Sequence, residues 1–355
     1  MPDLYLRLHI TGIIQETPDT YTYCLENTAP EPVIYQAGQF LTFLVDIHGT
    51  TYRRSYSLSS TPGIDAHLAV TIREKQNGEI SRHIIRHWQK GDVVTSLLPS
   101  GRFTLDRIAG RPRSIFLFAA GSGITPVYSL LKHILYREPA ARVILLYSSP
   151  APQQTIFFKQ LQALQEKFSR QLQCIYFFSQ QGFDDNSAPR RLSNILLEPL
   201  VNKLLPHSEH DKAAAQFFVC GPPDYMRMIM LTLTFMGFDA SQLHKENFVV
   251  NTGVKLEKAG RPQDATLKQV RLHVGAATYN IKVPGNQDIL SSALQQGITL
   301  PYSCKGGVCG SCTAKCTQGK VWLAVNEVLT DAEVAQGLVL TCVGYPASDM
   351  VEIVL

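Results

Sequence analysis

Cys304-Lys305-Gly306-Gly307-Val308-Cys309-Gly310-Ser311-Cys312 sets three thiols among three glycines, with Cys316 and Cys342 further along. The spacing is C-x4-C-x2-C with a distant fourth cysteine, the arrangement by which four thiolates hold the two irons of a [2Fe–2S] cluster. Such a cluster also needs backbone N–H groups aimed at its sulfides. The loop around it must therefore lack bulk, a freedom that Gly306, Gly307 and Gly310 give it. The pattern predicts Cys304, Cys309, Cys312 and Cys342 as metal ligands. Cys316 is left over, either an inert core thiol, the preferred reading, or an oxidation-sensitive one. A structural zinc site of Cys304, Cys309, Cys312 and Cys316 competes, although zinc ribbons usually place two close pairs a dozen or more residues apart. Cys24, Cys174 and Cys220 are scattered, and residues 1–10 do not read as a secretion signal. A disulfide framework is not expected, and a reducing cytoplasmic setting is.

Outward from the loop, residues 270–274 and 277–283 alternate like a hairpin, and 287–296 reads as a short helix before Gly297. Leu300-Pro301-Tyr302-Ser303 leads into the cysteines, and 321–325, 338–341 and 350–355 are strand candidates. The stretch 269–355 resembles a plant-type ferredoxin along its whole length, which implies a β-grasp domain carrying a [2Fe–2S] cluster. With five Lys/Arg against six Asp/Glu it is near-neutral, so strong electrostatic docking to a partner is not expected.

At 355 residues, 45% hydrophobic and 17% charged, the chain exceeds one ordinary domain and can bury several cores. A formal charge of +4 is too small and dispersed for a nucleic-acid protein. No apolar run approaches the roughly 18 residues of a membrane helix. Gly, Pro and Lys accumulate over 253–267, where apolar periodicity disappears. Residues 4–109 are rich in short alternating segments, whereas from Ser114 apolar runs alternate with helical stretches. The expected organisation is multidomain: an all-β domain over 1–108, an α/β domain with a parallel sheet over 109–250, a linker over 251–268, and the ferredoxin-like domain over 269–355.

In the first domain, Arg53-Arg54-Ser55-Tyr56-Ser57-Leu58 closes a strand with a guanidinium, a ring and hydroxyls. On a strand Arg54, Tyr56 and Leu58 share one face, with Ser55 and Ser57 on the other. A flavin calls for this mixture, with a guanidinium for its pyrophosphate and a hydroxyl near its N5; Tyr56 as a half-buried strand aromatic is the plainer alternative. Asn77-Gly78-Glu79-Ile80-Ser81 precedes a helix expected over 82–89. Its N–H groups and Ser81 suit the same pyrophosphate, or serve only as a helix cap.

In the second domain the apolar run 114–120 feeds Gly121-Ser122-Gly123-Ile124-Thr125-Pro126 and then a helix from Val127 to about Arg137. Strand, glycine turn and helix present N–H groups to a dinucleotide pyrophosphate, although a Gly-Ser-Gly turn also serves tight packing. The run 216–220 ends in Cys220-Gly221-Pro222-Pro223-Asp224-Tyr225-Met226. By itself Cys220 reads as a small buried hydrophobe.

These segments resemble, in order, the FAD-binding motifs and the Cys-Gly-Pro segment of the ferredoxin-NADP reductase superfamily, and Pro99-Ser100-Gly101-Arg102-Phe103 resembles its barrel-closing segment. The resemblance covers residues 1 to about 250. It implies FAD contacts from Arg54, Tyr56, Ser57, Arg73, Gly78, Ile80 and Ser81, and coenzyme contacts from Gly121, Gly123, Thr125, Pro126, Gly221 and Pro222. Many members carry lysine where Arg73 stands. Ser57 is implied at the flavin N5 and Cys220 beside the nicotinamide. His244-Lys245-Glu246-Asn247-Phe248 resembles the segment ending the reductase in members with a C-terminal ferredoxin, which implies Glu246 and Phe248 near the flavin; a core role for Phe248 stands beside it.

Together the resemblances imply an NAD(P)H:acceptor oxidoreductase with FAD and a [2Fe–2S] cluster. Electrons would pass to a separate oxygenase component, an oxygenase reductase of the phenylacetyl-CoA epoxidase type being favoured, or to another acceptor such as hybrid-cluster protein. A redox-sensing iron–sulfur flavoprotein is the alternative from another class. Many relatives follow the serine that meets the adenosine 2′-phosphate with arginine. Here Gln180 follows Ser179, which weakens the case for NADPH, while Arg190 and Arg191 can compensate; NADH and NADPH both stay open.

Overall fold

The computed structural model describes residues 5–105, 113–180, 191–205, 209–248 and 262–355. The expected boundary at 108/109, Arg190 and most of the expected linker lie outside them. The chain divides into two compact units, one holding Arg7–Pro99 and Phe103–Phe248 and the other holding the C-terminal region together with Ser100–Arg102.

The first unit opens with strands β1 (Tyr5–Thr17), β2 (Thr20–Asn27), β3 (Phe40–Ile47), β4 (Thr50–Ser57), β5 (Leu68–Arg73) and β6 (Val93–Leu97), with helix α1 (Glu79–His87) between the last two. They form a six-stranded sheet ordered β4-β3-β6-β1-β2-β5. Its two edges meet through an antiparallel bridge between Leu58 and Val70, which closes the sheet into a barrel. Leu8, Ile10, Leu25, Leu41, Phe43 and Val70 fill the interior.

The second half contains β7 (Arg113–Ala120), α2 (Ile124–Arg137), β8 (Ala141–Ser149), α3 (Phe158–Lys167), β9 (Leu172–Phe178), α4 (Asn194–Leu204), α5 (Glu209–Ala214), β10 (Gln216–Cys220), α6 (Pro223–Phe235) and β11 (Leu243–Glu246). The sheet order is β11-β10-β7-β8-β9, all parallel. Its strands are apolar on both faces because both are covered. Ile115, Leu117 and Ala119 pack with α2 and α3, while Phe116 and Phe118 pack with α4 and α6. Barrel and sheet are joined by buried polar contacts. Ser129 of α2 donates to Ser60 O at 2.5 Å, Thr61 donates to Ser129 O at 2.9 Å, and Lys132 pairs with Asp65.

The C-terminal unit comprises β12 (Leu267–Val274), β13 (Ala277–Pro284), α7 (Ile289–Gln295), β14 (Thr313–Gln318), β15 (Val321–Leu323), α8 (Asp331–Ala335), β16 (Leu338–Leu340), β17 (Gly344–Pro346) and β18 (Met350–Val354). Its main sheet runs β13-β12-β18-β14-β16, with β12 and β18 parallel, and β15 pairs with β17. This mixed sheet with a helix capped by Asp288, whose carboxylate accepts from Ser291 N at 2.8 Å, is the β-grasp expected. The first strand begins at Leu267, inside the stretch read as linker. Among the described residues no helix is long and apolar enough to cross a membrane.

Candidate functional site

Three residues far apart in sequence meet where strands of the barrel and of the parallel sheet end. Ser57 closes β4, Cys220 closes β10 and Glu246 closes β11, and the parallel register sets Cys220 opposite both Glu246 and Ala119. Ser57 Oγ donates to the Glu246 carboxylate at 3.3–3.4 Å. Burial pushes Glu246 up to about 8, against the pull of the Ser57 hydrogen bond, so near neutral pH it holds a proton. The Cys220 thiol is wholly buried, and burial first, then Glu246, raises it well above its ordinary value. It is a neutral wall, not a nucleophile.

Around this point the strand ends are pinned by glycines. A Cβ on Gly123 would lie 2.3 Å from Cys220 O, and one on Gly221 would lie 2.9 Å from Ala120 Cβ. Only residues without side chains let β7 and β10 run this close. Gly121, at φ +55°, turns the chain into α2, whose first turn holds Thr125 and Pro126, both buried. Thr125 donates to Ser122 O at 3.0 Å, Tyr147 to Gly121 O at 3.1 Å and Tyr225 to Ala119 O at 3.1 Å. Those hydroxyls occupy the carbonyls of the strand end and its turn, which lie at the crevice outside the carboxyl ends of the parallel strands. Pro222 caps α6 on the other side of that crevice.

Arg54 is exposed and Tyr56 half-buried; the Tyr56 ring lies 6.3 Å from Phe43 and burial pushes its hydroxyl up to about 12. With Ser57 they give one strand a cation, a ring and a hydroxyl, a donor set suited to a flavin nucleotide. Leu58 does not share their face: it lies past the strand end, fully buried against the barrel. Helix α1 starts at Glu79, three residues earlier than expected, because extended Gly78 ends the turn and Arg82 N already bonds to Gly78 O. Ser81 Oγ accepts from Lys75 N at 3.1 Å and donates to Gly78 O at 3.3 Å, which locks its own loop. Ile80 is in the core. Arg73 reaches toward the parallel sheet: its Nε donates to Asp19 at 2.8 Å, and its Nη1 would be 3.3 Å from a Cβ on Gly121. Phe248, 44% exposed, follows Glu246 without a described contact to Ser57 or Cys220.

In the C-terminal unit the four predicted cysteines come together. Cys312 and Cys342 lie 3.2 Å apart in the core, and Cys304 bonds to both Cys309 and Cys342. Those partners pull the Cys304 thiol down, and Cys342 does the same to Cys312; Cys309 and Cys342 are raised in turn by the thiols they face. Gly306 N donates to Cys304 Sγ at 3.3 Å. Gly307 and Gly310 have φ of +71° and +73°, and a Cβ on Gly307 would lie 2.5 Å from Val325 O. Four thiols drawn together by a glycine loop that donates N–H groups to sulfur fit a [2Fe–2S] cluster. Cys316 stands apart on β14, its Sγ 3.3 Å from Gln318 O, which removes the four-cysteine zinc alternative. Among the described residues no group of three or more His, Cys, Asp or Glu is set around a single metal ion.

This combination of barrel, parallel sheet and thiol loop defines a flavin- and pyridine-nucleotide-linked iron–sulfur oxidoreductase. Residues 7–105 match the model of the oxidoreductase FAD-binding domain, 117–230 that of the oxidoreductase NAD-binding domain, and 272–347 that of the 2Fe-2S iron-sulfur cluster binding domain. The chain is 31% identical to one of the subunits of the 1,2-phenylacetyl-CoA epoxidase of Escherichia coli K12, over 97% of its own length and 96% of that protein's. It is also 31% identical to the ferredoxin reductase component of 3-ketosteroid-9-alpha-monooxygenase of Mycobacterium tuberculosis, over 99% and 96% of the two chains. The chain belongs to this family of oxygenase reductase components. Among solved structures, phthalate dioxygenase reductase aligns over 99% of this chain and 98% of its own at a TM-score of 0.60 and 24% identity, which shows a shared fold.

Asp19, Tyr147 and Tyr225 carry no signal in the sequence alone. Asp19 sits in an ordinary hairpin tip, and the tyrosines look like any strand or helix aromatic until the register brings them to the carbonyls at the ends of β7 and its glycine turn.

Proposed function

We propose that the chain takes a hydride from NADH or NADPH and delivers its electrons one at a time to a separate oxygenase component in the cytoplasm, a phenylacetyl-CoA epoxidase type being favoured. The observation that carries the proposal is the meeting of Ser57, Cys220 and Glu246 at the joined strand ends. When bound, FAD accepts two electrons together and gives them up singly, and a [2Fe–2S] cluster carries single electrons. Arg54 and Tyr56 hold the flavin nucleotide, and Ser57 presents its hydroxyl to the ring. Protonated Glu246 orients that hydroxyl without adding a charge to a buried site. Cys220 and Gly221 form a thin, neutral wall against which a nicotinamide ring can lie, while the Gly121 turn, Arg73 and the start of α2 take the coenzyme's pyrophosphate. Cys304, Cys309, Cys312 and Cys342 hold the cluster.

An oxygenase acceptor is supported by the names of the relatives, which include reductases of ketosteroid and glycine betaine monooxygenases. The test is reconstitution of the purified chain with the oxygenase component of a phenylacetyl-CoA epoxidase. NAD(P)H-dependent formation of the epoxide is expected; rapid cytochrome c reduction with no epoxide would assign the chain to another acceptor. For the flavin, Arg54→Ala is expected to weaken FAD retention by removing a charge-assisted contact of about 1.5–3 kcal/mol. Full flavin occupancy after gel filtration of that variant would remove Arg54 from the site.

A further inference from the structure

The β1–β2 hairpin carries a carboxylate whose geometry is too specific for a surface ion pair. Asp19 Oδ1 accepts from two buried threonine hydroxyls, Thr17 at 2.8 Å and Thr20 at 2.9 Å, which leaves Oδ2 to accept from Arg73 Nε at 2.8 Å. The plane of the carboxylate is thus set by the hairpin itself. Asp19 O also accepts from Glu74 N at 2.7 Å, and Thr20 is the cross-strand neighbour of Arg73, so one residue anchors both backbone and side chain at the end of β5. Burial draws the Asp19 carboxyl upward, but the hydrogen bonds from Arg73, Thr17 and Thr20 outweigh it and hold the group below its ordinary range.

The same protein contains an arginine pair of the structural kind. Arg113 gives Nε and Nη2 to both oxygens of Glu138, and the two side chains are 3% and 15% exposed. Arg73 differs on each count. It spends only Nε on Asp19, the pair is 33% and 40% exposed, and Nη1 is carried across to the Gly121 turn of the neighbouring sheet. A guanidinium held at its neck, with no hydrogen bond to its fork among the described residues, beside a glycine turn and a helix start is arranged to receive an anion.

We infer that Asp19 is a positioning residue of the coenzyme site, fixing the Arg73 guanidinium where the pyrophosphate of NAD(P)H meets the Gly121 turn. This rests on the reading of that crevice as the coenzyme site. Asn at position 19 keeps the shape of the side chain and an oxygen for Arg73, but it has no charge, so the bond that holds the guanidinium is no longer charge-assisted.

The experiment is calorimetric titration of NAD+ and NADP+ into the oxidised, FAD-loaded full-length protein. The proteins compared are wild type, Arg73→Gln, Asp19→Asn and the double variant, with the flavin spectrum and Tm recorded for each. Arg73→Gln is expected to weaken coenzyme binding about tenfold. Asp19→Asn should weaken it roughly three- to tenfold and raise KM for the reduced coenzyme with kcat within about twofold. In the double variant Asp19→Asn should add nothing, because its effect passes through Arg73. Unchanged binding in Asp19→Asn, or penalties that add in full, would overturn the inference for Asp19 while leaving the coenzyme site standing. Unchanged binding in Arg73→Gln would remove Arg73 from that site and the inference with it. If Asp19→Asn does not retain FAD, Arg73→Lys carries the test, since an ammonium cannot bond Asp19 from Nε and still offer a fork; wild-type affinity there would overturn the inference.

Discussion

Cys309→Ser is expected to abolish the electron paramagnetic resonance signal of the reduced cluster and the reduction of cytochrome c, while NAD(P)H-driven ferricyanide reduction persists. Cys309 faces Cys304, and both sit on a loop whose backbone is left-handed at Lys305, Gly307 and Gly310. A serine hydroxyl there is a hard, weakly acidic ligand in place of a thiolate, and the remaining three cysteines cannot complete the set. The reductase half lies in a different compact unit with its own cores, and Ser57, Cys220 and Glu246 all belong to that unit. Hydride acceptance should therefore survive. Loss of both activities in a protein that still holds FAD would mean that the two halves do not work separately.

Glu246→Gln is expected to change how stability depends on pH. Glu246 is moved by burial from the usual 4.5 to about 8 in the folded chain. Between those values the unfolded chain has released the proton that the folded chain retains, so wild-type stability falls as pH rises from about 4.5 and levels above about 8. Glutamine keeps a neutral polar group that still accepts from Ser57 and removes the titration. The Tm of the variant should fall less than that of the wild type between pH 5 and pH 8, and curves that stay parallel would contradict the raised value. Because Ser57 keeps its acceptor, flavin reduction by NAD(P)H at about pH 7 should stay within about threefold of the wild type.

Much of this is legible in the sequence because the chemistry is local there. The cluster loop is a run of thiols and glycines whose spacing, with a distant fourth cysteine, points to a two-iron cluster, and the apolar residues from 115 to 119 announce a strand covered on both faces. Strand ends are less legible. Ser81 looks like an anion donor in the sequence and closes its own loop in the structure, since a short hydroxyl at that offset reaches Lys75 N. Arg73 groups with the flavin residues by its place in a motif. Its partner Asp19 and its neighbour Gly121 are set by barrel register and by the packing of barrel on sheet, neither of which a linear pattern records. The coming together of Ser57, Cys220 and Glu246 follows only from family resemblance, because it depends on β11 adding in parallel to β10 at one particular offset.

The central claim is that one polypeptide carries electrons from a pyridine nucleotide through a flavin to a [2Fe–2S] cluster. It is tested most directly by anaerobic titration of the purified protein with NADH and, separately, NADPH, followed by visible absorption and electron paramagnetic resonance. The account predicts flavin bleaching and then the rhombic signal of a reduced two-iron cluster, with the coenzyme that achieves it at lower concentration identified as the preferred one. Flavin bleaching with no cluster signal, in protein shown by analysis to contain iron and sulfide, would contradict it.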